Sequence, residues 1–233
     1  MALNENKISN PYIIAVIPCF NEENFIGEII RKTRQYVDHV VVVDDGSTDR
    51  TFEIAVSAGA DVIRHKKQMG AGAGTMEAFE FARKTNADIL VTLDGDAQHN
   101  PDEIPSLLKP IINNEADMVV GSRFLKEAKI RAYRKFGIDV ITRSVNLGSK
   151  VKFSDSQCSF RAHNRKILES VYISDHSFGY SVEVLIRARK IGARIAETPV
   201  SCIYHDQGST LNPILHGFSV LLSVIKHRIR LRA

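Results

Sequence analysis

Acidic residues follow two apolar segments of this sequence. An apolar run of four residues stops at Asp44 and Asp45, and a second run of five residues stops at Asp94, with Asp96 close behind. Short apolar runs bounded by turn residues are typical of buried strands. Ligands of open α/β proteins bind at the edge where such strands end. The pattern therefore predicts one site that holds a metal ion and a polar ligand.

The second acidic segment is the stronger candidate for chemistry. Asp94 and Asp96 are separated by one residue, so both carboxylates can face one cation, and Gly95 allows a tight bend and the close approach of a ligand. Oxygen ligands suit Mg²⁺ or Mn²⁺, which keep open positions for substrate phosphates. Gln98 can add an amide oxygen. Most Asp-x-Asp triplets are surface turns, but the position of this one after a strand favours a metal site.

The bulk properties are those of an ordinary globular protein. The chain has 233 residues, of which 44% are hydrophobic and 25% charged, enough for one sizeable α/β domain. Cys19, Cys158 and Cys202 fit neither a disulfide framework nor a zinc spacing, which predicts a reducing, cytoplasmic setting. The histidines also lack metal-ligand spacing. We expect neither a signal peptide nor a membrane span, since no suitable apolar run occurs.

Positive charge is concentrated in the middle of the chain. The net charge is +4, yet residues 123–166 contain twelve Lys and Arg against three Asp and Glu. Such a segment is either a solvated basic face or a surface for an anionic partner, such as phosphates, nucleic acid or membrane headgroups. The last predicted helix, 213–232, is amphipathic with a basic end. It could pack on the core or lie on an anionic membrane surface.

Strand and helix signals alternate through the first half of the chain, and this order predicts a mainly parallel sheet with helices on both faces. Pro105 and Pro110 should bend or shorten the helix that follows the Asn100 cap. Residues 126–155 predict a basic loop-and-helix region. We expect strands at 12–17, 40–44, 61–64, 89–93, 117–121, 157–162, 194–200 and 202–205, and helices near 25–37, 49–59, 75–84, 100–112 and 180–191.

A glycine-rich segment, 70–75, resembles a dinucleotide-binding fingerprint. Its sixth position is Thr75 instead of Gly or Ala, and four polar residues separate it from the preceding strand. A true fingerprint follows a strand directly. We therefore expect a flexible loop that enters a helix.

Four motifs in order resemble the family-two inverting glycosyltransferases, most of all dolichyl-phosphate mannose synthase and other polyprenyl-phosphate glycosyltransferases. The motifs are 17–23 (IPCFNEE), 42–49 (VVDDGSTD), 93–101 (LDGDAQHNP) and 121–124 (GSRF). The resemblance covers roughly residues 12–200. It implies a GT-A nucleotide-sugar-binding fold, a UDP- or GDP-sugar donor and a divalent metal, Mg²⁺ or Mn²⁺. One departure is Ser159, where the family usually has Gly.

The resemblance also implies roles for individual residues. Asp96, Arg123, Asp155 and Glu183 would be catalytic. The metal on the donor diphosphate would be held by Asp94, Asp96 and Gln98. The nucleotide pocket would be lined by Pro18, Phe20, Glu22, Val43, Asp45, Asp94 and Gly95.

The identity of the acceptor decides which further residues are needed. A lipid phosphate is already ionised near neutral pH, so it needs cations more than a base. The candidates are Arg123, Arg131, Arg134 and Lys135. A hydroxyl acceptor needs a base within about 3 Å. Asp155 and Glu183 are candidates for that base, although either could be a buried structural acid paired with Arg161 or Arg187.

We therefore expect a metal-dependent enzyme, a hexosyltransferase, that transfers a single sugar with inversion to a polyprenyl phosphate. The chain has no Trp, so the Gln-x-x-Arg-Trp motif of processive polysaccharide synthases is absent. Three alternatives are transfer to a hydroxyl on a small molecule or glycan, a non-catalytic nucleotide-sugar-binding protein, and a nucleotidyltransferase. The last would require a glycine-rich phosphate loop after the first strand.

The predicted organisation is a single glycosyltransferase domain, 1–233. Its nucleotide-binding half spans about 11–122 and its acceptor half about 123–212, followed by the basic terminal helix 213–232. A lipid acceptor would be reached through a peripheral membrane contact, at the cytoplasmic face of the membrane, or through a membrane partner subunit. We expect no nucleic acid partner.

Overall fold

A computed structural model describes residues 10–126, 132–149, 151–203, 220 and 222–226. The strands are β1 (Ile13–Cys19), β2 (His39–Asp44), β3 (Asp61–Arg64), β4 (Ile89–Thr92), β5 (Met118–Ser122), β6 (Arg161–Asn164) and β7 (Ile195–Pro199). The helices are α1 (Ile26–Thr33), α2 (Thr51–Ser57), α3 (Ala71–Lys84), α4 (Ile104–Ile112), α5 (Ala132–Asn146), α6 (Arg165–Ser170) and α7 (Tyr180–Lys190). A 3-10 turn, Pro101–Glu103, precedes α4.

The strands form one seven-stranded sheet in the order β3-β2-β1-β4-β6-β5-β7. Only β6 runs antiparallel to its neighbours, and the other described pairs are parallel. β6 is antiparallel because the chain enters it from the same edge at which β5 ends. The predicted mainly parallel sheet is confirmed.

Helices cover both faces of the sheet, as the sequence predicts. Alternate residues of β1 enter two separate clusters, with Ile14 and Val16 in one and Ile13, Ala15 and Ile17 in the other, as the two-residue period of a strand requires. The first cluster includes side chains of α3, α5, α6 and α7. The second includes side chains of α1, α2 and α4. Because helices cover both faces of the sheet, the edge at which the strands end is left for the acidic segments.

Several local expectations were wrong, for physical reasons that lie outside the local sequence. β1 continues through Pro18. Proline has no backbone N–H to donate, but β4 ends opposite Val16, so no hydrogen bond from position 18 to β4 is needed. The glycine-rich segment is not a flexible loop, since α3 already begins at Ala71. Gly74 allows this by packing close to Pro18, where an added Cβ would be 3.0 Å from that ring. The predicted strand 157–162 is shifted to β6.

The predicted helix 100–112, which contains three prolines, is divided in the structure into the 3-10 turn and α4. Asn100 caps the 3-10 turn by accepting a hydrogen bond from the Asp102 amide, and α4 ends two residues after Pro110. Residues 201–203 are irregular, and the rest of the predicted strand 202–205 lies outside the described residues.

Little of the predicted terminal helix falls within the described residues. Residues 222–226 are helical, and the buried side chains of Val220 and Val224 belong to the cluster beneath α7. The remainder of 213–232 lies outside the described residues. Among the helices of the described part, none has the length and apolar character needed to cross a bilayer.

One buried carboxylate joins three strands at the edge opposite the acidic segments. Asp117, just before β5, accepts hydrogen bonds from the Arg194 amide at 2.8 Å and guanidinium at 2.9 Å, and from Lys166 at 3.1 Å. Burial opposes ionisation, but the hydrogen bonds and charges of Arg194 and Lys166 outweigh it and lower the pKa of Asp117. The ionised form therefore stabilises the folded protein.

We predict that Asp117→Asn lowers the free energy of unfolding by about 1–3 kcal/mol at pH 7. A lowered pKa contributes stability above the unfolded pKa of about 4 and loses it as the pH falls further. The gap between variant and parent should therefore shrink at pH 3, as measured by urea denaturation. Asp61→Asn, on an exposed side chain of β3, is the control and should change stability by less than about 0.5 kcal/mol. An equal gap at both pH values would contradict the ionic role.

Candidate active site

The candidate site lies at the edge where the parallel strands end. Cys19 at the end of β1 pairs with Asp44 at the end of β2, and Val16 pairs with Thr92 at the end of β4. β6 starts at this edge, where Thr92 faces Arg161. Both acidic segments and the chain before β6 therefore meet at one edge of the sheet.

Three carboxylates crowd together at this edge, and we call Glu22, Asp94 and Asp96 the acid corner. Burial, with the charges of Asp96, Asp49 and Asp94, raises the pKa of Glu22 to about 7. Burial and the charge of Asp94 raise the pKa of Asp96. Among the described residues, no Lys or Arg forms an ion pair with any of the three. The corner therefore carries repulsion that a bound cation would relieve.

The donor set of the acid corner fits a divalent cation shared with another ligand. Within the described ranges, no group of three or more His, Cys, Asp or Glu could hold a metal ion by itself. Asp94, Asp96 and the Gln98 amide supply oxygen atoms, which is the donor type that Mg²⁺ and Mn²⁺ prefer. These ions commonly keep positions for substrate phosphates. The arrangement suits a cation completed by a diphosphate.

The turn that presents these acids is tightly fixed. The Gln98 amide donates to the Asp96 carboxylate at 3.0 Å, and Ala97 adopts a left-handed backbone with φ of 58°. Such a backbone is unfavourable for a residue with a side chain. At Gly95, an added Cβ would lie 2.8 Å from that of Cys19. Gly95 therefore packs closely on the end of β1, and its approach to a ligand remains a prediction.

Ser159, which replaces the family's usual Gly, contacts the acid corner directly. Its hydroxyl donates to the Asp94 carboxylate, while its carbonyl accepts from the Thr92 hydroxyl at 2.8 Å. The ring of His99 accepts from the Asp94 amide at 3.4 Å and stacks on Phe160. The sequence analysis did not identify these contacts, although the departure at position 159 marked the place.

Asp45 holds the start of α3 at the edge of the sheet where the candidate site lies. Its carboxylate accepts from the amides of Met69 and Gly70, both at 2.8 Å, and contacts His65 Nδ1 at 2.7 Å. The proposed pocket residue Phe20 is 36% exposed at the same edge. By contrast, the side chain of Val43 is fully buried in the core. The nucleotide-binding roles of these residues remain predictions.

Arg123 and Asp155 form a buried bidentate ion pair. Arg123 Nε and Nη2 donate to the two carboxylate oxygens at 2.7 and 2.9 Å. Burial opposes ionisation of Asp155, but the charge and hydrogen bonds of Arg123 outweigh it and lower the pKa of Asp155. Arg161, the partner weighed from sequence, instead donates to the carbonyls of Ser156, Cys158 and Ser181.

Glu183, in the first turn of α7, has the contacts of a structural acid. Its fully buried carboxylate accepts from the Ser174 amide and hydroxyl, the Asp175 amide and Arg187. Burial raises the pKa of Glu183, but the hydrogen bonds from Ser174 and its neighbours outweigh it and lower that pKa. Of the two partners weighed from sequence, Arg187 is therefore the one observed for Glu183.

A cavity of about 570 Å³ opens beside the ion pair, and we call it the basic cavity. It is lined by residues 123–126, by five residues of α5, and by Phe153 and Ser154. Lys135 lies over the Phe124 ring, 5.9 Å from its centroid, and the Arg143 side chain is 83% exposed. Of the other predicted acceptor cations, Arg131 and the side chain of Arg134 lie outside the described residues.

The chain resembles known proteins over most of its length. A sequence model of glycosyl transferase family 2 matches residues 14–187. UDP-N-acetylglucosamine–dolichyl-phosphate N-acetylglucosaminyltransferase of Methanococcus voltae is 29% identical, over 94% of this chain and 96% of that protein. Dolichol-phosphate mannosyltransferase of Pyrococcus furiosus is 29% identical, over 80% of this chain and 55% of that protein.

A solved structure has a similar fold. Glucosyl-3-phosphoglycerate synthase of Mycobacterium tuberculosis, in complex with Mn²⁺, UDP and phosphoglyceric acid, superposes with a TM-score of 0.75. The two proteins are 20% identical, and the match covers 94% of this chain and 78% of that one. The likeness confirms the predicted GT-A type of α/β fold.

The crowding of the acid corner leads to a prediction about pH. An acid with a raised pKa carries no penalty below its unfolded pKa and destabilises the fold as the pH rises through the folded value. Glu22→Gln should therefore stabilise the metal-free protein by about 1–2 kcal/mol at pH 8 and by much less at pH 5. Thermal melts in a chelator at the two pH values measure this.

The control is Glu28→Gln, which removes an exposed acid paired with Lys32 on α1. It should give no gain at pH 8. If Glu22→Gln were neutral or destabilising at pH 8, the acid corner would not carry the repulsion described.

Proposed function

Because the chain belongs to glycosyl transferase family 2 and is a glycosyltransferase, we propose that it moves one sugar, with inversion, from a nucleoside diphosphate sugar to a polyprenyl phosphate. The single observation that carries the proposal is the acid corner, where three carboxylates meet at the sheet edge and no Lys or Arg of the described ranges is paired with them. In this proposal residues 11–122 bind the nucleotide and residues 123–212 the acceptor, within one domain.

A divalent cation completes the donor site in this proposal. Asp94, Asp96 and Gln98 would hold it against the donor diphosphate, and the cation would offset the negative charge that develops on the leaving group. The Ser159 hydroxyl fixes one carboxylate oxygen of Asp94, and in this proposal the other oxygen binds the cation. The solved neighbour, whose fold is shared, contains Mn²⁺ with UDP, and this supports the same role here.

The acceptor phosphate would bind at the mouth of the basic cavity. Lys135 and Arg143 line it near solvent. Arg143 has only a loose, exposed pairing with Asp139 at 3.8 Å, whereas Lys126 is paired with Glu103 at 2.8 Å. Arg123 borders the cavity, and its ion pair fixes the direction of its guanidinium. Relatives named for transfer to dolichyl phosphate support an acceptor of this type.

The contacts of the candidate bases favour a phosphate over a hydroxyl acceptor. Asp155 and Glu183 are fully buried, and strong donors already occupy both carboxylates. A hydroxyl acceptor would need one of them to accept a proton at about 3 Å. A phosphate oxygen needs no such base, because it is already ionised near neutral pH. In this proposal both acids act by holding Arg123 and the start of α7.

The metal assignment is tested with Asp96→Asn. Transfer should fall at least about 100-fold, because a charge that holds the electrostatic stabiliser of the leaving group is lost. The thermal shift given by UDP or GDP with Mn²⁺ should also disappear, although the variant remains folded. Asp102→Asn, an exposed acid in the 3-10 turn, is the control and should keep both signals.

Unchanged turnover in Asp96→Asn would remove the metal assignment. In the parent protein, the same nucleotide panel with and without Mn²⁺ identifies the donor base. A nucleotide shift that does not depend on the cation would count equally against the assignment.

The acceptor assignment is tested by neutralising the basic cavity. Lys135→Gln with Arg143→Gln should raise KM for a short-chain polyprenyl phosphate at least about 100-fold, since each of the two charge-assisted contacts contributes roughly 1.5–3 kcal/mol. Hydrolysis of the donor in the absence of acceptor should be unchanged. Lys84→Gln, at the exposed end of α3, is the matched control. Equal losses with phosphate and hydroxyl acceptors would contradict the phosphate assignment.

A further inference from the structure

Exposed apolar side chains gather on one side of α5. Tyr133, Phe136 and Val140 are 50%, 71% and 38% exposed, and Leu147, just after the helix, is 69% exposed. At 3.6 residues per turn, their positions fall within an arc of about 60°. They therefore form one continuous stripe, which we call the α5 stripe.

The α5 stripe lies about 130° around the helix from the face by which α5 packs on the protein. Ile141 and Val145 are 5% and 2% exposed and belong to the core cluster. A surface helix normally carries one apolar face, toward the core, and a polar face toward solvent. α5 has apolar residues on both sides. A second apolar face on a surface helix marks a contact with something other than water.

The charges around the stripe identify its partner. Residues 132–153 contain five Lys and Arg against a single acid, Asp139. That acid lies 3.8 Å from Arg143, and Lys135, Arg143 and Lys152 are all exposed. On the helix Arg143 borders the stripe, and Lys135 lies further round, toward the basic cavity. An apolar stripe with cations on the adjacent side is the pattern of a helix that lies in the interface of an anionic bilayer.

A second copy of the chain fits the same surface poorly. In a twofold contact the same patch occurs on both partners, so the cations of one patch, Lys135 and Arg143, would lie close to those of the other. Exposed like charges of this kind oppose association. Anionic headgroups pair with the same cations instead.

We propose that α5 lies on an anionic membrane surface with its stripe inserted among the lipids. α5 also lines the basic cavity through Lys135 and Arg143. The cavity would then open at the level of the headgroups, where the phosphate of a polyprenyl lipid lies. This last point rests on the proposed function, whereas membrane binding by the stripe does not.

The first test measures binding to vesicles of phosphatidylcholine with and without 30% phosphatidylglycerol. The parent protein should sediment with the anionic vesicles, and less so at high salt. Phe136→Ser with Leu147→Ser should weaken binding at least about 10-fold, since two exposed side chains lose their apolar contact. Val56→Ser with Tyr172→Ser removes two other exposed residues, 50% and 61%, and should have no effect.

A second readout uses the absence of Trp from the chain. Phe136→Trp introduces the only indole, and its fluorescence should shift to shorter wavelength with anionic vesicles. Val56→Trp on α2 should not shift. Equal vesicle binding by the parent and the stripe variant, or no shift at position 136, would overturn the proposal. So would a stripe variant that dissociates a dimer while leaving vesicle binding intact.

The test separates this inference from the proposed function. Transfer to a short-chain, water-soluble polyprenyl phosphate requires the active site and no membrane. The stripe variant should retain that transfer and lose only vesicle binding and transfer to long-chain acceptor in vesicles. If the parent bound vesicles but transferred no sugar to the short-chain acceptor, the proposed function would fail while the membrane surface stood.

Discussion

Repulsion among the carboxylates of Glu22, Asp94 and Asp96 is the constraint on which the site depends. Buried strands deliver these acids to one edge, and the tight turn at Ala97 holds two of them in place. A flexible loop would let them separate into water, so the rigidity of the sheet maintains their proximity. Charge arranged in advance in this way needs little reorganisation when a cation arrives. The repulsion within the corner and its proposed use in cation binding have the same physical origin.

The Arg123–Asp155 pair fixes the direction of a cation beside the basic cavity. A buried ion pair contributes little net stability compared with apolar residues, yet breaking it costs about 3–5 kcal/mol because one charge stays buried alone. Asp155 therefore holds Arg123 in one orientation beside the basic cavity. The positive charge of Arg123 is therefore kept beside the cavity that would receive an acceptor phosphate in the proposed function.

Local patterns predicted those parts of the fold that local physics determines. Apolar runs ending in turn residues identified β1, β2 and β4, because strands buried on both faces must be apolar throughout. The start of α3 was missed, since it depends on Gly74 packing against Pro18, a contact between distant segments. At the site, the acids at the strand ends were predicted because each acidic segment directly follows an apolar run in the sequence. The partner of Asp155 was not, because Arg123 is 32 residues away and Arg161 is nearer in sequence.

The α5 stripe illustrates a further limit of reading periodicity. A helix with one apolar face gives a clear 3.6-residue pattern. In α5 the core face, with Ile141 and Val145, and the stripe, with Phe136 and Val140, lie on different sides of the helix, and each obscures the periodic signal of the other. The sequence therefore predicted only a basic loop-and-helix region there. The exposed fractions of the side chains in the structure distinguish the two faces. They also show on which side of α5 the cations near the stripe lie. A composition that reads as a solvated basic segment becomes, in three dimensions, a surface with an apolar centre and a cationic border.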